Sequence, residues 1–111
     1  MSFNFPEPDW KVLSRLRPLA LDRLCRHILQ EAGEILARAE EGKNHQTYLD
    51  LYRHIHKRDK VLSDCFDDWR RSQALFLLIN WRAESLVTEE EFAVFSPETR
   101  DAVEWFLKPG N

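Results

Sequence analysis

The sequence predicts an all-α fold: a long antiparallel helical hairpin with short C-terminal helices packed on the projecting end of the second helix. Three observations carry this. The 111-residue chain has only three glycines, and its five prolines leave residues 19–96 proline-free, which suits long helices and disfavours turn-rich β structure. Apolar residues recur at helical period over two long segments. The second segment also holds a seven-residue repeat, as packed helix pairs do.

Residues 1–13 read as an N-terminal arm, anchored by Phe3, Phe5 and Trp10 and held out of helix by Pro6 and Pro8. The first long helix is expected over 14–41. Ser14 would cap it, and Pro18 would fall in its first turn, where a missing N–H does least harm. Leu21, Leu24, Cys25, Ile28, Leu29, Ala32, Ile35, Leu36 and Ala39 supply its apolar period, and Gly42 stands where a left-handed C-cap is expected.

The second helix is expected over 45–86, capped by Asn44 or Thr47. Its heptad runs Tyr48, Ile55, Leu62, Trp69, Phe76, Ala83, with Leu51, Arg58, Cys65, Ser72, Ile79 and Leu86 as companions. At this length it would extend about 60 Å, and its end would outrun the first helix. A turn near 42–45 sets residues whose numbers sum to about 88 opposite each other. Leu24 then faces Cys65, Cys25 faces Leu62, and Glu31 faces Arg58 as an ion pair that sets the register.

Two short helices are expected over 88–107. Thr88 and Glu91 fit a capping box, with Val87 and Phe92 as its hydrophobic staple. Ser96 followed by Pro97 marks the second start, and Thr99, Ala102, Val103, Phe106 and Leu107 form the inward face. The whole chain reads as a single helical domain, without internal repeats.

A net charge of −3 gives no global attraction to nucleic acid or acidic membranes. The longest apolar run, Ala74–Ile79, is far short of the roughly 18 residues of a membrane span, so no membrane partner is expected. The N-terminus lacks the basic and apolar regions of a signal peptide, and two cysteines do not make a disulfide scaffold. A cytoplasmic protein is the expectation.

Chemistry-bearing patterns are sparse. His54 and His56, two apart, point to different sides of a helix, and neither His27 nor His45 completes a metal motif. No metal or cofactor is expected. Cys25 and Cys65 fall near each other across the hairpin, as small apolar side chains or a redox pair. Arg53, Lys57 and Lys60 line one outward stripe, but Asp59, Asp64, Asp67 and Asp68 follow closely, as on a solvated face. No phosphate loop or nucleophile elbow occurs, so no enzyme activity is expected.

The segment Ala74–Trp81 adds a second apolar stripe, Ala74, Leu77, Leu78 and Trp81, to the seam residues Phe76 and Ile79. A helix apolar all round must be covered on all sides. Either the chain's own aromatics cover it, or Leu77, Leu78 and Trp81 form a surface for a second copy.

The strings Arg15–Arg23, Phe66–Ser72 and Glu91-Phe92 with Phe95–Arg100 resemble a group of small bacterial helical proteins without an assigned activity. That resemblance implies a bacterial, cytosolic source and no mechanism. The functional expectation is a non-catalytic protein–protein interaction or assembly module, self-associating or bound to another protein. The alternatives are a regulatory nucleic-acid-associated protein using Arg53, Lys57 and Lys60, and an apolar ligand site between the helices near Trp69 and Phe76.

Overall fold

The computed structural model describes residues 3–110, which form α1 (Glu7–Ala37), α2 (Asn44–Phe66), α3 (Ala74–Ala83), α4 (Glu89–Phe92) and α5 (Pro97–Leu107). A 3₁₀ turn spans Arg71–Gln73, and no strand occurs among the described residues. The fold is all-α, as predicted, but several boundaries differ for identifiable reasons.

α1 begins at Glu7 rather than at Ser14, so most of the expected arm is helical and Pro18 lies inside the helix. Pro8 is tolerated in the first turn, where its missing N–H has no intrahelical partner to lose. An interior proline costs about 3 kcal/mol. Tertiary contacts of the first two turns offset it: Leu13 is fully buried, Trp10 packs on Trp69 at 5.0 Å, and Asp9 reaches α5. The Asp9 carboxylate accepts from Ser96 N (3.0 Å), Ser96 Oγ (2.6 Å) and Thr99 Oγ1 (2.6 Å). It therefore sits at the N-termini of α1 and α5 together, where both helix dipoles favour negative charge.

The expected 45–86 helix is broken. α2 ends at Phe66, and Arg70 is extended (φ −135°, ψ 144°) before the 3₁₀ turn opens α3. The last carbonyls of α2 find side-chain donors instead of the next turn. Asn80 Nδ2 donates to Asp64 O (3.2 Å), Trp81 Nε1 to Cys65 O (2.9 Å), and Arg17 Nη2 to Phe66 O (3.1 Å). With the helix-end carbonyls satisfied this way, α3 folds back against α2, α1 and α5 and becomes the centre of the core.

Of the two readings of this segment, cover by the chain itself is the one observed. Leu77, Leu78 and Trp81 are buried core residues, not a surface for a partner, while Phe76, placed in the seam by the heptad, is half exposed. Trp69 stacks on Trp81 at 6.0 Å, under the Arg17 guanidinium at 4.6 Å from the Trp69 ring. α3 ends at Ala83, with Leu86 N bonded to Trp81 O at 2.8 Å and Ser85 in the left-handed region (φ 61°). This is the Schellman closure, with serine where glycine is usual.

The C-terminal starts follow the sequence. The Thr88–Glu91 capping box is formed, Val87 and Phe92 are buried, and Ser96 caps α5 with Pro97 at its first position. α1 holds this region through Arg23, whose Nη1 and Nη2 meet Glu91 Oε1 (2.6 Å) and Oε2 (3.0 Å), Nη1 also donating to Leu86 O. On α5, Thr99 and Val103 are buried, but Phe106 and Leu107 are more exposed than the expected inward face requires.

The projecting end is therefore the opposite one. Core residues come from 3–28 and 61–103, leaving the far half of the α1–α2 hairpin beyond the core. The radius of gyration is 17.0 Å and the extents are 55 × 30 × 24 Å, against about 13 Å for a compact domain of about 100 residues. α1 stops at Ala37, five residues before Gly42, which serves the turn between the helices (φ 84°) rather than a C-cap.

Candidate functional site

Along the projecting hairpin the inward-facing positions of α2 are Thr47, Leu51, His54, Arg58, Val61 and Cys65, spaced three and four apart. The expected heptad shares Leu51, Arg58 and Cys65 with this line. Two of its other members, Tyr48 and Ile55, are rotated out of the seam and exposed. A seam lined by Thr47, His54 and Arg58 is polar, and its centre is a charge cluster.

Glu31 of α1 lies opposite Arg58. Arg58 Nε is 3.0 Å from Glu31 Oε1, but its N–H is not aimed at that oxygen and has no other acceptor. The contact is thus a charge pair without a hydrogen bond. Glu31 Oε1 instead accepts from His54 Nε2 at 2.9 Å, and Arg58 Nη1 donates to Glu84 Oε1 at 3.2 Å. The cluster links α1, α2 and the end of α3, and Arg58 is its most enclosed member.

Outside this seam, five large apolar side chains of the projecting hairpin face solvent: Leu29 (69% exposed), Leu36, Tyr48 (63%), Tyr52 (60%) and Ile55. Leu29 and Leu36 are displaced about 100° from the α1 seam line, and Tyr48, Tyr52 and Ile55 are displaced in the same rotational sense from the α2 line. In antiparallel neighbours, equal rotational offsets point to the same side of the pair. The five therefore share one face. Among the described residues no third helix covers it: α3 is ten residues long, packs on the C-terminal end of α2 and stops beside Arg58. The sequence signal was present in the Tyr48–Tyr52–Ile55 spacing, but assigning Tyr48 and Ile55 to the seam hid it.

Other candidates take different places. Arg53, Lys57 and Lys60 are exposed on α2, and Lys60 Nζ lies 3.4 Å from Asp64. Cys25 and Cys65 are free thiols; Cys65 is fully buried, and burial, with Glu84 and Asp64 nearby, pushes its thiol up to about 12. Among the described residues, no group of three or more His, Cys, Asp or Glu is arranged to hold a metal ion. At the other end of the molecule Phe76, Trp105 and Phe106 are also exposed, but they pack on one another, at 5.9 Å (Phe76–Phe106) and 5.1 Å (Trp105–Phe106).

Among the described residues, no helix is long and apolar enough to cross a membrane. Compared with known proteins, the chain matches no family model, no curated protein and no solved structure.

Proposed function

We propose that this protein is a non-catalytic interaction or assembly module, working in the cytoplasm through the apolar face of its projecting hairpin. The observation that supports this is the group Leu29, Leu36, Tyr48, Tyr52 and Ile55, exposed together on one side of a two-helix projection. A contiguous exposed apolar patch marks a protein contact. The polar clusters are committed to the fold: Asp9 to the start of α5, Arg23 to Glu91 and Leu86, and Arg58 to Glu31 and Glu84.

The test is the size of the native complex in extract of the source cell. Leu29→Glu with Tyr52→Glu is expected to shift the protein to a smaller species, with little effect of salt on the intact complex. A complex lost at moderate salt and on replacing Arg53, Lys57 and Lys60 by Gln would instead support the nucleic-acid reading. Migration at the monomer's size in extract would overturn the interaction role.

A further inference from the structure

We propose that the occupant of the hairpin's apolar face is a second copy of this chain, the two hairpins packing face to face in a four-helix arrangement with α1 of each copy over α2 of the other. This rests on the interaction role proposed above and names its partner. Three features of the face lead to it.

The first is extent. The five side chains leave on the order of 600 Å² exposed, close to the roughly 800 Å² per partner of a stable interface. Rim contacts supply the difference. The second is periodicity. Leu29 and Leu36, and likewise Tyr48 and Ile55, are seven residues apart, the spacing that keeps a stripe facing another helix at a shallow crossing angle. A two-fold axis running along the hairpin places each stripe over the other helix's stripe, with every neighbouring helix antiparallel.

The third is Gly33. It lies near the C-terminal end of α1, four residues before Ala37, on the exposed side and still within the helix, where glycine is less favourable than alanine. A Cβ there would meet nothing within 4 Å, and its backbone is not in the left-handed region, so the single chain gives no steric reason for glycine. The proposed packing supplies one. Glu31 lies against His54 and Arg58, so residues at one level have numbers summing to about 85–89. Gly33 is then level with Tyr52, and the two-fold seats the Tyr52 ring of one copy over the bare backbone at Gly33 of the other. The same register sets Arg26 of one copy level with Asp59 of the other, a pairing of opposite charges.

The experiment is sedimentation equilibrium of the purified full-length chain over a wide concentration range, with far-UV circular dichroism to confirm folding. The expected result is a monomer–dimer equilibrium largely unaffected by salt. Tyr52→Glu and Gly33→Gln should each weaken it at least tenfold with helicity retained. Gly33→Ala is the sharper variant: it should raise the melting temperature of the dilute monomer while weakening the dimer. A dimer indifferent to Gly33→Gln would overturn this packing. A purified chain monomeric into the millimolar range would overturn the second copy as occupant. If that monomer still joins a larger species in extract, and loses it on Leu29→Glu, the interaction role stands with a different partner; if it does not, both readings fall.

Discussion

Asp9 offers a stringent test of how this fold is closed. Its carboxylate, 3% exposed, accepts three hydrogen bonds from Ser96 and Thr99, 87 and 90 residues away in sequence. Bonds to a charged acceptor contribute about 1.5–3 kcal/mol each when isolated. In Asp9→Ala, part of the loss is recovered, because Ser96 Oγ can still donate to Thr99 Oγ1 at 3.2 Å and to entering water. The expected cost is about 3 kcal/mol, with a Tm lowered by about 12 °C. Urea unfolding followed by tryptophan fluorescence measures it, at fixed low protein concentration so that self-association does not contribute. In a Ser96→Ala/Thr99→Val background the same substitution should cost less than half as much, since most of its partners are gone. A loss below about 1 kcal/mol, or one unchanged in that background, would refute the idea that this carboxylate joins α1 to α5.

Glu91 should govern part of the acid limb of stability. The hydrogen bonds from Arg23, foremost, hold its carboxyl below the usual carboxylate range, against a smaller opposing effect of burial. A depressed folded pKa adds stability that is complete above the unfolded value of about 4.3 and lost as pH falls through the folded one. Glu91→Gln keeps the side-chain length of the capping box, so it should be less stable than the parent at pH 7 and converge with it in acid; parallel pH curves would contradict this. For the thiols, a reagent specific for thiolates should modify Cys25 in the folded protein and Cys65 only on unfolding, given the buried Cys65 thiol near 12. Modification of both at equal rates would show that the α2–α3 packing opens. In the seam, a double-mutant cycle on Glu31→Gln and Arg58→Gln should give a coupling of about 0.5–1 kcal/mol, small because no hydrogen bond joins the pair and Glu31 is partly solvated. Zero coupling would remove Glu31 as a determinant of the hairpin register.

What the sequence determined by itself is local. Helix type follows from the scarcity of glycine, the positions of proline and the apolar period. The Thr88–Glu91 box and the Ser96–Pro97 start lie within four residues of the groups they satisfy, so spacing alone specifies them. The start of α1, the break after Phe66 and the identity of the exposed face were decided by tertiary structure. Pro18 is compatible with a helix start at 14 until Asp9, Trp10 and Leu13 find α5, Trp69 and the core. The 45–86 heptad stays consistent across the break because α3 is apolar on almost every side and fits any register. What ends α2 is a set of donors, Arg17, Asn80 and Trp81, that reach its last carbonyls only once the chain has folded back. Tyr48 and Ile55 satisfy a seam pattern equally well whether they face the other helix or solvent. Periodicity records that residues share a side of a helix; only the placement of α3 at the opposite end decides which side is left uncovered.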